Sequence, residues 1–170
     1  MQSETKLAVF ENYLSIARKY CDSYESELEG DQRQFLSQIQ GLLLELYSHG
    51  RLLPETNSSA LEFDSLLERN DHQIQSMIAH KVPFSGYWQA LEPFSVDESE
   101  LGLDDLLDDL GDIYLDLKRA ILLYNSNLEG ARQEAYWKLK FDFNFHLADH
   151  SMNAMKAIHD YMGKDGYNGW

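Results

Sequence analysis

A chain of 170 residues has the length of one ordinary domain, and its composition, 44% hydrophobic and 25% charged, is that of a folded protein able to bury a core without disulfides or a structural metal. Its 29 acidic side chains against 14 basic ones give a net charge of −15, which sets the surface against phosphate backbones and anionic lipids and so disfavours nucleic-acid and membrane partners. No uncharged apolar run approaches the roughly 20 residues that a membrane span needs.

The opening MQSETKLAVFENYL has neither the basic start nor the apolar run of a secretory signal, so a cytoplasmic protein is expected. Leu7, Phe10, Leu14, Ala17, Cys21 and Tyr24 alternate steps of three and four, the seam of a first packed helix. Cys21, the single cysteine, lies on that seam and reads as a small core residue rather than a reactive thiol. Gly30 breaks the pattern, and Asp31 with Gln34 forms a capping-box signature for a second helix carrying Phe35, Ile39, Leu42 and Leu46 and ending near Gly50. Shorter helices are expected after Ser59, through Leu61, Phe63, Leu66 and Leu67, and after Asn70, through Ile74, Met77 and Ile78.

The prolines at 83 and 93 enclose PFSGYWQALEP, which predicts an irregular or briefly helical connection whose Phe84, Tyr87, Trp88 and Leu91 cover one end of the core. Ser95 and Glu98 then cap a fifth helix with the apolar line Leu103, Leu106, Leu110, Ile113, Leu117, Ile121 and Tyr124. Ser126 and Glu129 cap a final long helix, in which Tyr136 to Tyr161 is apolar around most of its circumference and is therefore expected to be central; Gly163 stops it. The chain thus predicts an all-α, single-domain bundle of about six helices over residues 1–162, followed by a Gly-rich tail, 163–170. No β-period segment, internal repeat, Walker-type loop, G-x-G-x-x-G or G-x-S-x-G is present.

Two polar constellations stand out. On the final helix Asp142, His146, Asp149, His150 and Asn153 share an arc of about 100°, and two histidines four residues apart can point both imidazoles at one divalent metal. His159 lies on another side and reads as packing. On the fifth helix Asp105, Asp109, Asp112 and Asp116 form a second row, although Asp is a poor helix former and like charges four apart repel. If that row faces solvent it suits a basic protein partner, with the chain acting as an adaptor or inhibitor and the binding depending on salt. If it faces the histidines, Asp109, Asp112 or Asp116 would complete a site with His146, His150 and Asp142 or Asp149, in a metal-binding bundle or metal-dependent hydrolase. An amphipathic helix with a solvated face and histidines of purely structural use is the plainer alternative to both.

The segment DDLGDIYLDLKRAILLY, Asp108 to Tyr124, together with Trp137, Phe141, Phe145, His146, His150 and His159, resembles an uncharacterised bacterial all-helical family, domain of unknown function 5063. The resemblance covers about Asp108 to Tyr161 and implies a helical bundle of bacterial origin, with no activity attached.

Overall fold

The structure, a computed structural model, describes residues 2–63, 71–90 and 100–164. Six α-helices and one short antiparallel ribbon follow in the order α1 (Gln2–Glu25), α2 (Gln32–Gly50), α3 (Asp71–Ala79), β1 (Gly86–Ala90), β2 (Leu101–Asp105), α4 (Leu106–Asn125), α5 (Ala131–Asp142) and α6 (Ala148–Gly163). A five-residue π-helical turn, Phe143–Leu147, joins α5 to α6.

The all-helical expectation holds, and the three-and-four seams decide how the helices meet. Tyr13, Leu14, Ala17, Tyr20, Cys21 and Tyr24 of α1 are buried, as are Phe35, Ile39, Leu42 and Leu46 of α2. The Asp31–Gln34 capping box forms as expected, each side chain satisfying the other residue's amide. Helix α4 holds the middle of the bundle, packing against α1, α3, α5 and α6, with Leu110, Ile113 and Leu117 fully buried.

Several expectations need correction. The final segment is helical without a break from Ala131 to Gly163, widened by the π turn, but it is not enclosed on all sides: Trp137, Phe141 and Phe145 follow one another in ring contact along its outer side, with Phe145 71% exposed. Its ring of apolar residues therefore serves two surfaces, one packed and one open. Ser126 does not cap the final helix but closes α4, its N–H reaching Leu122 and Leu123 carbonyls, while Gly130 supplies the left-handed residue (φ 74) before α5. Helix α4 starts at Leu106, capped by the Asp105 carboxylate accepting from the Leu107 N–H at 2.8 Å. The proposed Ser95–Glu98 cap, Leu91, and the tail beyond residue 164 lie outside the described residues. Of the helix expected after Ser59, residues 59–63 are not helical and the remainder lies outside the described residues.

The ribbon is the one element without a counterpart in the sequence reading. Tyr87 pairs with Asp104, Trp88 with Leu103 and Gln89 with Gly102. Trp88, Leu101 and Leu103 point away from the core and are exposed, while Phe84 and Tyr87 are partly buried against it. Phe84 stacks on Tyr161 of α6 at 4.6 Å, which fixes the base of the ribbon to the bundle. No helix among the described residues is long and apolar enough to cross a membrane.

Candidate metal centre

Helix α4 packs against both α6 and the π turn, which brings its aspartate row onto the histidine pair. Asp109 and Asp116 are buried, so most of the row is turned inward rather than presented to solvent. Asp108 and Asp109 sit in the first turn of α4, where the unpaired amides and the helix dipole favour negative charge.

Each histidine is held by its own carboxylate. His146 Nδ1 lies 2.8 Å from Asp116 Oδ2, and His150 Nδ1 lies 2.6 Å from Asp109 Oδ1. An ionised carboxylate only accepts, so each Nδ1 carries the proton and each Nε2 is left with its lone pair. Those two Nε2 atoms face one another at 3.0 Å, with the rings near perpendicular at 79°. Two lone pairs at that separation repel unless a cation lies between them. A shared proton is one such cation: the Asp109 hydrogen bond raises the His150 pKa above the ordinary imidazole value, against the opposing effect of its partial burial.

A metal ion is the other. Asp112 Oδ2 completes a triangle, 3.5 Å from His146 Nε2 and 3.9 Å from His150 Nε2. Sides of 3.0, 3.5 and 3.9 Å admit a point about 2.0 Å from all three atoms, the length of a zinc–nitrogen or zinc–carboxylate bond. The His146 side chain is 43% exposed, so the triangle is bordered by solvent on that side. Behind the ligand atoms, the Asp–His contacts have the form that outer carboxylates take around metal-bound imidazoles, fixing both tautomer and ring orientation.

Of the residues singled out from sequence, His146, His150, Asp109, Asp112 and Asp116 come together. Asp149 is exposed and points elsewhere, and Asp105 is engaged as the α4 cap. Asp142 is buried beside Lys138, 3.1 Å from its Nζ, rather than among the ligand atoms. His159 is exposed, not packed. One site residue went unread altogether. Tyr87 of β1 donates its hydroxyl to Asp109 Oδ2 at 2.5 Å, and the only sequence signal for it was an aromatic in a proline-bounded connection. Burial and the Asp109 charge raise the Tyr87 pKa well above the ordinary phenol value, which keeps it a donor.

No functionally curated protein matches the chain. The crystal structure of protein BF1032 from Bacteroides fragilis, a structural-genomics target, superposes with a TM-score of 0.72 over 88% of this chain and 92% of that one, at 19% identity, and so shares the fold. Residues 6–163 match the family described as Domain of unknown function (DUF5063), which spans almost all of the described bundle; the chain belongs to that family.

Proposed function

We propose that this bundle is a divalent-metal protein, with Asp112, His146 and His150 as ligands and metal-dependent hydrolysis as its chemistry. The observation that carries the reading is the convergence of both Nε2 lone pairs and Asp112 Oδ2 on one point, with both Nδ1 atoms already bonded to carboxylates. Zinc is the ion that best fits two imidazoles and one carboxylate at this size, and a solvent-facing fourth position is where it would bind a water and lower its pKa to about 7. Asp109 and Asp116 would orient the imidazoles, and their charge, with that of Asp112, would offset the ion's. A basic protein partner finds less support, because Asp109 and Asp116 are buried and Asp105 is engaged as a cap, which leaves little of the row as a docking surface. A cytoplasmic setting suits the reading, since Cys21 is a buried thiol.

The test is elemental analysis of untagged protein purified without chelator, before and after incubation with zinc or manganese. Wild type is expected to carry close to one equivalent of metal, and the double variant His146→Ala, His150→Ala to carry none. Asp149→Ala, outside the cluster, should retain it. Absence of metal from folded wild type under all these conditions would overturn the reading.

A further inference from the structure

Tyr87, of the ribbon, reaches the histidine cluster from outside the helices. Its hydroxyl bonds Asp109 Oδ2 at 2.5 Å, and the other oxygen of the same carboxylate accepts from His150 Nδ1 at 2.6 Å. Asp109 is 1% exposed, so water does not readily replace either partner. Two donors on two oxygens hold the carboxylate in a single orientation. With Tyr87 removed, one buried oxygen loses its donor, and the carboxylate is free to turn away from the imidazole.

Resting on the metal reading above, we propose that Tyr87 is a positioning residue of the metal centre, acting through Asp109 on His150, and that metal binding therefore locks the β1–β2 ribbon onto the bundle. Binding at His150 Nε2 requires the Nδ1–H tautomer, which Asp109 favours by facing the ring and accepting from Nδ1. That same arrangement presents Oδ2 to Tyr87. Coupling between two sites is reciprocal: whatever factor Tyr87 contributes to metal affinity, the metal returns to docking of the ribbon. Among the described residues, the Phe84–Tyr161 stack and the Leu106 N–H to Ser85 carbonyl bond at 2.8 Å also hold the base of the ribbon, and the Gln89–Asp104 hydrogen bond joins its two strands; none of these touches Asp109.

The experiment pairs zinc titration by calorimetry with hydrogen exchange of amides 86–90 and 101–105, on wild type, Tyr87→Phe and Gln89→Ala. Tyr87→Phe is expected to raise the zinc Kd by roughly tenfold, the lower end of what loss of an outer partner costs. Saturating zinc should slow exchange across the ribbon by a similar factor in wild type and leave it unchanged in Tyr87→Phe at equal occupancy. Gln89→Ala loosens the ribbon within itself and should keep its zinc affinity within about twofold. A wild type that binds zinc while Tyr87→Phe binds equally well overturns the inference, as does an equal loss in Gln89→Ala, which would reduce Tyr87 to a structural contact. A wild type that binds no zinc is seen in the first titration and overturns the metal reading itself.

Discussion

At the scale of single residues, the polar groups of this bundle divide into those whose charge is matched and those whose charge is not. Asp142 is only partly matched, by Lys138 Nζ at 3.1 Å. Burial, and next the nearby Asp116 charge, push its pKa up to about 6, against smaller opposing effects of Lys138 and His146. Tyr13 of α1 faces the same region with a buried hydroxyl that lacks a hydrogen-bond partner among the described residues. Because the folded pKa lies above the unfolded one, the unfolded chain ionises first as pH rises, and stability falls between about pH 4 and 6. At neutral pH the ionised carboxylate therefore costs the fold on the order of 1–3 kcal/mol. Asp142→Asn should accordingly stabilise the chelator-treated protein by that amount in urea unfolding at pH 7.5, with the gain shrinking toward zero at pH 4. An equal gain at both pH values would show that charge is not the cause. Glu134 shows the contrasting case: burial alone would raise its pKa, but hydrogen bonds from the Ser58 hydroxyl and from the Ser59 amide and hydroxyl lower it, so its charge is welcome.

At the scale of elements, the packed seams of α1, α2 and α4 were legible because burial imposes a three-and-four period on apolar residues. The ribbon was not: Trp88, Leu101 and Leu103 face solvent, so neither strand shows the apolar alternation that marks a half-buried sheet. Nor was the π turn legible: its first residue, Phe143, meets its neighbours on other helices, which spacing within the segment does not show. Phe143 packs its ring directly onto Gly50 at the end of α2, where an added Cβ would lie 2.2 Å from two ring carbons, and Tyr13 and Tyr47 flank the same ring. Gly50→Ala should therefore destabilise by roughly 1–3 kcal/mol through overpacking. Gly41→Ala on the same helix, where a Cβ meets nothing within 4 Å, should stabilise by about 0.5–1 kcal/mol through helix propensity alone. Thermal melts of the two variants check the pair, and a stable Gly50→Ala protein would mean that the ring has room to move. The candidate site was half legible for the same reason as the π turn. Spacing placed the two histidines on one face and the aspartates on another, but whether the faces meet depends on how α6 lies on α4, which no spacing within either helix determines.

At the scale of the whole molecule, a net charge of −15 makes every compact state work against its own repulsion, and the aspartate–histidine cluster concentrates part of that charge. Asp108, Asp109, Asp112 and Asp116 occupy one helix within nine residues, and burial followed by the Asp112 charge raises the pKa of Asp108. A cation held there would relieve repulsion and join α4 to α6 and the π turn at once, so its binding should register as global stability rather than as a local change. With free zinc at 100 times its Kd the gain is about 2.7 kcal/mol, which for a domain of this size corresponds to a rise in Tm of roughly 5–11 °C. Magnesium at equal ionic strength screens the general repulsion but prefers six oxygen ligands, so it should give only the smaller shift common to all salts. The comparison is therefore between zinc and magnesium melts of wild type and of His146→Ala. Removing one imidazole should abolish the zinc-specific part while leaving the magnesium shift intact. A zinc shift that survives in His146→Ala would instead assign the stabilisation to diffuse neutralisation of the acidic surface, and the convergence of the two imidazoles on Asp112 would then have no role in cation binding.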